Sequence, residues 1–475
     1  MLSLEATKII HTLDEATIQD FVKSFNGQIF RPGETGYDEA RAVWNGMIDR
    51  YPALIARCTS PADVIAAVNF ARQHKIEVAV RGGGHNVAGH GTTDGGLVID
   101  LSGMKQIEVD PAGRTVRAGG GTTIGELDQA TQAHGLATPL GVVTETGIAG
   151  LTLGGGLGWL RNKYGLSSDN LISVDVVTAD GRLLKANERI NSDLFWGVRG
   201  GGGNFGIVTN FEYRLHPVGP EVMFVFVLHQ ADTPEQMKAA IKFHRDFCDS
   251  APDEISTILA TGIVPHGAEI FPEKIQGRHF VLFGAMYAGD AAEGEQALQP
   301  LRSFAEPLID FSGRMPYVEA QQVFDPDYPR GHRYYWKSLN LSRLDDEVID
   351  RFVEHARRQP SEHSTTDLWY IGGAVRRNRA GAFQGRDAAW LINPEANWEH
   401  PEDDAANIAW ARDFIAAMQS YSDGSRYLNF PGFQEEGDEM MRQAFGEKYD
   451  KLVALKNKYD PTNFFSLNQN IKPAV

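Results

Sequence analysis

Hydrophobic and polar positions divide the chain into two regimes. The first opens at Ser60 with a capped amphipathic helix, Pro61–His74, and a short apolar strand, Ile76–Val80. Short strands are predicted at Leu97–Leu101 and Thr115–Ala118. A helix from Thr123 to His134 ends at Gly135, a residue suited to the left-handed position after a helix. Leu171–Thr178, the turn Ala179-Asp180-Gly181 and Arg182–Lys185 read as a hairpin. A short helix, Asp193–Val198, and an alternating strand, Ile207–Leu215, close this regime. After His216-Pro217-Val218-Gly219-Pro220 the pattern changes. Between Val222 and Ser422, strands alternate with long amphipathic helices at Thr233–Cys248, Ala291–Phe304 (with Pro300 a candidate break), Asp345–Arg358 and Ala405–Tyr421. The strands carry aromatic residues, as in Met223–Leu228, Phe280–Tyr287, Arg333–Leu341 and Asp367–Ile371. An α+β unit with helices on one face of an open sheet is expected here. The last fifty residues return to motif-like sequence and are expected to rejoin the first unit. The predicted division is therefore 1–218, 219–424 and 425–475.

Composition sharpens this picture. Of the 50 glycines, 29 lie between Gly82 and Gly206, so that quarter of the chain is strands joined by bare backbone turns. A chain of 475 residues needs two or three folding units, and 42% hydrophobic and 23% charged residues are ordinary for a globular protein. A net charge of −17 with no offsetting basic patch argues against nucleic-acid or anionic-membrane partners. The two cysteines, Cys58 and Cys248, are far apart and no metal-ligand spacing is present. Met1 to Asp14 has no signal-peptide apolar region, and no run approaches the ~20 apolar residues of a membrane span, so a soluble cytoplasmic protein is the expectation.

The chemistry concentrates in the glycines. Residues 81–91 read Arg-Gly-Gly-Gly-His-Asn-Val-Ala-Gly-His-Gly directly after a predicted strand. Three glycines without side chains let main-chain N–H groups approach a diphosphate, and His85 presents a nucleophilic imidazole at the end of the turn. Gly201-Gly202-Gly203-Asn204-Phe205-Gly206 satisfies the dinucleotide spacing, but a helix precedes it and a strand follows, the reverse of a nicotinamide site. Ala118-Gly119-Gly120-Gly121 and Gly150 to Gly158 complete four clusters. Each alone is more often a structural turn; together they suit a long ligand such as a dinucleotide.

Arg81 to His85, Gly150 to Gly158, Arg199 to Gly206, and Tyr459-Asp460-Pro461-Thr462-Asn463 to Asn468-Gln469-Asn470-Ile471 resemble, in order, the berberine-bridge-enzyme branch of the vanillyl-alcohol-oxidase flavoproteins. The resemblance implies a two-part FAD-binding domain of the PCMH type, formed from both chain ends, with a central substrate domain roofing the flavin. It implies that His85 carries the flavin through its 8α carbon, with His90 the rival attachment point. The residues it assigns to the cofactor are Arg81, Gly82, Gly83, Gly84, His85, Asn86, Gly89, His90, Gly120, Val143, Thr146, Gly147, Gly150, Gly154, Gly155, Gly158, Gly203, Gly206, Val208, Asn429, Asn468 and Asn470. Val143 stands where doubly tethered members have a cysteine. Valine forms no thioether, so a single covalent bond is expected, and a sugar substrate becomes less favoured.

For the reaction, period two puts Asp367, Trp369 and Ile371 on one strand face. A carboxyl beside an indole is poorly solvated, which raises its pKa toward that of a general base. The bland alternative is a strand-end aspartate in solvent or an ion pair with Arg376, Arg377 or Arg379. In Arg333–Ser338, Tyr335 and Lys337 share one face and Tyr334 and Trp336 the other; either pair could line the cavity, and Tyr335 and Lys337, with Trp369 and Phe430, are named as substrate contacts. Tyr427-Leu428-Asn429-Phe430 resembles the family's Tyr-x-Asn-Tyr with Phe430 replacing the second tyrosine, so base duty falls to Asp367 or Tyr427. The resemblance implies an oxidase that passes hydride from an alcohol, phenol or polyketide-like substrate to flavin and electrons to O2, giving H2O2. The alternatives are a sugar oxidase and a dehydrogenase or monooxygenase of secondary metabolism.

Overall fold

Ser60 starts the helix Pro61–His74 with a capping box: its Oγ accepts from Asp63 N at 3.3 Å, and Asp63 Oδ2 accepts from Ser60 N at 3.1 Å. The structure is a computed structural model describing residues 14–433 and 437–474; the N-terminal stretch 1–13 read above lies outside the described residues. This helix packs on a four-stranded sheet ordered Gln28–Phe30, Leu54–Arg57, Leu97–Asp100, Val78–Arg81. The last three strands run parallel, in a register that sets Arg81 beside Asp100 at their ends. Asp100 is buried and accepts from both Arg81 Nη2 and Arg57 Nε at 3.0 Å. The sheet edge from which the glycine turn departs is thereby fixed.

A second sheet, antiparallel and five-stranded, is ordered Ile107–Asp110, Thr115–Gly119, Ile207–Arg214, Leu171–Val177, Leu183–Asn187. It contains the predicted hairpin. The helix predicted from Thr123 spans Ile124–Gln132, and Gly135 after it takes φ +65°. The C-terminal helices Asp438–Phe445 and Tyr449–Tyr459 pack into the core of this sheet, where Phe445, Leu452 and Leu455 meet Val174, Phe205 and Phe211.

The central region forms an antiparallel sheet, nine-stranded among the described residues. Its main path is Pro307–Asp310, Glu221–Gln230, His279–Tyr287, Ile255–Ile263, Thr365–Tyr370, Trp390–Trp398, Arg333–Trp336. Alternation sorts its side chains. Val225, Leu259, Phe283, Leu368 and Ile392 pack under the helices Pro234–Ser250, Asp346–Ala356 and Asp404–Met418. Phe224, Ile258, Leu282, Trp369 and Leu391 turn the other way, onto Leu157, Trp159 and Leu166 of the first region. An α+β fold with helices on one face of the sheet is what the pattern predicted.

Two details differ. Pro300 does not break its helix, which runs Ala291–Arg302; so near the C-terminal end it removes one N–H donor without redirecting the chain. The predicted strand Arg333–Leu341 is two strands, Arg333–Trp336 and Leu339–Leu341, pairing with different stretches of Trp390–Trp398. Both cysteines are free and buried. Among the described residues no helix is long and apolar enough to cross a membrane.

Candidate active site

The glycine clusters converge on one cavity. Gly83 and Gly147 meet main chain to main chain, and a Cβ on either would collide with the backbone of the other. This contact draws the 81–86 turn against the N-terminus of the helix Ile148–Leu153. Gly150 and Gly203 also line the cavity, but a Cβ at either meets nothing within 4 Å. Those positions leave main-chain groups open to a ligand, the surface that a dinucleotide's diphosphate requires. The C-terminal loop adds Asn468 and Gln469, whose buried Oδ1, Oε1 and Nε2 have no protein partner. A cradle with unanswered polar groups at one end fits a dinucleotide.

His85 stands on the cavity wall with its ring stacked on Trp44, centroids 4.0 Å apart, and Trp44 stacks in turn on Tyr334 at 3.7 Å. Burial, reinforced by the nearby Arg330 charge, pushes His85 down to about 3, so its imidazole is neutral and nucleophilic at physiological pH. Its Nε2 is enclosed without a partner. His90 lines the same cavity and is pushed to about 4 by burial and Arg50.

Of the residues assigned to the cofactor, Arg81 to Asn86, His90, Val143, Thr146, Gly147, Gly150, Gly154, Gly203, Gly206, Val208, Asn429 and Asn468 line this cavity. Gly89, Gly120, Gly155, Gly158 and Asn470 do not. The four glycines serve packing: a Cβ would strike Ile48 at Gly89, Val208 O at Gly120, Phe383 at Gly155 and Leu140 O at Gly158. In those glycines the missing side chain admits a protein neighbour.

The opposite wall comes from the central sheet. The register pairs Asp367 with Asn393 and Trp336 with Glu395, so Asp367, Trp369, Glu395 and Trp336 share the face turned from the helices. Trp369, Trp336 and Glu395 line the cavity, whereas Asp367 is buried outside its lining with Oδ1 unpartnered. Glu395 accepts from Tyr328 Oη at 2.6 Å and from Asn393 Nδ2. Burial raises both carboxyls, and their proximity raises Glu395 further, so the pair holds a proton where lone carboxylates are ionised. Two of the three arginines named as ion-pair partners are engaged elsewhere, Arg377 with Asp253 and Arg379 with Asp387.

Tyr427 lines the cavity too. Its Oη accepts from Asn429 Nδ2 at 2.8 Å and Leu157 N at 3.3 Å, while burial pushes its pKa up to about 12. It is a protonated hydroxyl, unsuited to base duty near neutral pH. Phe430 lines the cavity beside it. Tyr335 and Lys337 are corrected: parity places Tyr335 on the helix side, in a cluster with Ala396, Trp398 and Trp410, and neither residue lines the cavity. Trp336 takes that place.

Sequence reasoning did not find Glu395, Tyr328 or Trp44. Glu395 had a signal: Asn393, Glu395 and Asn397 form a period-two polar stripe in an otherwise apolar strand. Trp44 and Tyr328 lie in loops, where no periodicity marks them.

Comparison with known proteins agrees with this geometry. A family model described as "FAD binding domain" matches residues 52–187, and one described as "Berberine and berberine like" matches 426–472. An FAD-linked oxidoreductase of Dictyostelium discoideum is 32% identical over 461 residues, covering 96% of this chain and 97% of that protein. The crystal structure of 6-hydroxy-D-nicotine oxidase from Arthrobacter nicotinovorans is similar with TM-score 0.84 at 28% identity, over 95% of this chain and 99% of that one. A chitooligosaccharide oxidase matches with TM-score 0.83 at 25% identity, over 97% of this chain and 100% of that one.

Proposed function

Because the chain belongs to the berberine-bridge-enzyme-like FAD-linked oxidoreductases, we propose that it is an oxidase of a small organic molecule, with FAD tethered once through His85. One juxtaposition carries the reading: the glycine cradle and a neutral, enclosed imidazole open into the same cavity as Glu395. The turns at Gly82–His85, Gly147–Gly154 and Gly200–Gly206 would hold the cofactor. Val143 on the cavity wall offers no sulfur for a second tether. When bound, FAD would supply the hydride acceptor, with dioxygen the final oxidant and hydrogen peroxide the product. The protein's own part is proton handling and shape. Glu395, sharing its proton with Asp367, takes the proton that leaves the substrate; Tyr427 stays protonated as a donor; Trp336 and Trp369 keep water from the reacting face.

Acid precipitation tests the tether. The yellow colour should stay in the washed pellet, on the tryptic peptide containing His85, and should move to the supernatant in His85→Ala. Colour in the wild-type supernatant would overturn it. Peroxide release on turnover in air separates an oxidase from a dehydrogenase.

A further inference from the structure

We infer that the substrate is a planar aromatic or heteroaromatic molecule, neutral or cationic, presenting an O–H or N–H donor, and that carboxylates and sugars are excluded. The inference rests on the flavin-oxidase reading above. Beneath the central sheet the cavity is walled by rings set steeply to one another. Tyr328 meets Trp336 at 5.6 Å and 76°, Trp336 meets Phe430 at 5.8 Å and 85°, and Trp369 meets Phe430 at 6.1 Å and 55°. A flat ring inserted among them makes face and edge contacts together.

The electrostatics of this end are one-sided. Among the described residues, the sheet wall presents Glu395 and no Lys, Arg or His to the cavity. Asp367 neighbours Glu395 on the same sheet face, and the Asp327 carboxyl, itself pushed up to about 7 by burial, is close enough to raise both of them. Neighbouring cations are turned elsewhere. Arg161 lies over the Trp369 ring at 5.1 Å but donates to the main-chain carbonyls of Tyr370, Gly158 and Thr257, and Arg330 pairs with Glu145. A substrate carboxylate would enter against like charge with no counter-ion. A sugar meets a different obstacle. Its many hydroxyls need partners, and at this end Glu395 and Tyr427, each already holding protein donors, can answer only one or two of them. Hydroxyls packed against the remaining rings would be desolvated without compensation. A phenol or an aromatic amine asks for one acceptor, which Glu395 supplies, and a cation gains further from the ring faces.

The test is titration of the oxidised holoenzyme with four probes, read from perturbation of its visible flavin spectrum. p-Cresol and tyramine should bind, 4-hydroxybenzoate at least roughly 30-fold more weakly than p-cresol, and cellobiose without saturation. In Glu395→Gln the gap between p-cresol and 4-hydroxybenzoate should shrink to about threefold or less. The inference fails if 4-hydroxybenzoate or cellobiose binds wild type as tightly as p-cresol, or if the gap survives in Glu395→Gln. A colourless protein sinks the oxidase reading instead, so the two failures are told apart.

Discussion

At the scale of single residues, function turns on groups whose surroundings keep them in the protonation state their chemistry needs. His85 is neutral because a charged imidazole stacked on Trp44 would lose its hydration. Glu395 and Asp367 together keep one shared proton above the usual carboxylate range, because burial raises both and Asp367 raises Glu395 further. Their base form accumulates only as pH rises, so kcat/KM should climb with pH along an acid limb lying above that range. Asp367→Asn removes the like charge, which lowers the pKa of Glu395 and should move the limb to lower pH. Glu395→Gln should reduce kcat about 100-fold or more with flavin content unchanged, measured by steady-state turnover and absorbance. Asp367 was legible as a poorly solvated acid from its strand neighbours; that it neighbours Glu395, which lines the cavity in its place, was not, because the register with Trp390–Trp398 decides it.

At the scale of elements, the glycine segments divide by what their missing side chain admits. Gly147→Ala places a Cβ against the backbone of Gly83 and should destabilise the fold by the ~1–3 kcal/mol of an overpacked contact, seen as a lower melting temperature. Gly150→Ala adds its methyl to open cavity within a helix, so stability should hold or rise while flavin content falls. Calorimetry beside the flavin-to-protein absorbance ratio separates the two. The helix pair Ile124–Gln132 and Tyr317–Gln322 joins the regions through buried Asp128, whose Oδ2 accepts from Gln321 Nε2 at 2.8 Å. Burial raises Asp128 from 3.8 to about 7, so between those values the folded state binds more protons than the unfolded one. Its stabilising effect is complete below about 4 and is lost as pH rises to about 7, by up to about 1.4 kcal/mol per unit. Asp128→Asn should remove that slope; denaturant melts of both proteins across this range check it, and equal slopes would refute it.

At the scale of the molecule, the C-terminal return closes the cavity. Lys456 is fully buried: its Nζ donates to Asp460 Oδ2 at 2.7 Å and to the carbonyls of Asn204 and Phe465 at 3.0 Å. Asp460 in turn accepts from Phe464 N and Phe465 N at 2.7 and 2.9 Å. One ammonium thus ties the 200–206 glycine loop to the 465–469 loop, both of which line the cavity. Lys456→Met leaves a buried carboxylate without its cation and should cost ~3–5 kcal/mol, seen as a lower melting temperature and reduced flavin retention. Unchanged flavin retention would show that the two loops hold their places independently.

The local order of the chain by itself determined the capped helix at Ser60, the hairpin after Leu171, the glycine turn bearing His85 and the alternation that put Asp367 beside Trp369. These depend on neighbours a few positions apart, where sequence spacing and spatial spacing coincide. Tertiary structure alone decided which face of Arg333–Trp336 meets the cavity, that Glu395 neighbours Asp367, and that Trp44 backs His85. Those contacts join segments far apart in the chain, as where Asn45 Nδ2 bonds Tyr334 O across 289 residues. A strand's parity is silent about which side will be covered until its partner strand and the helices above it are in place.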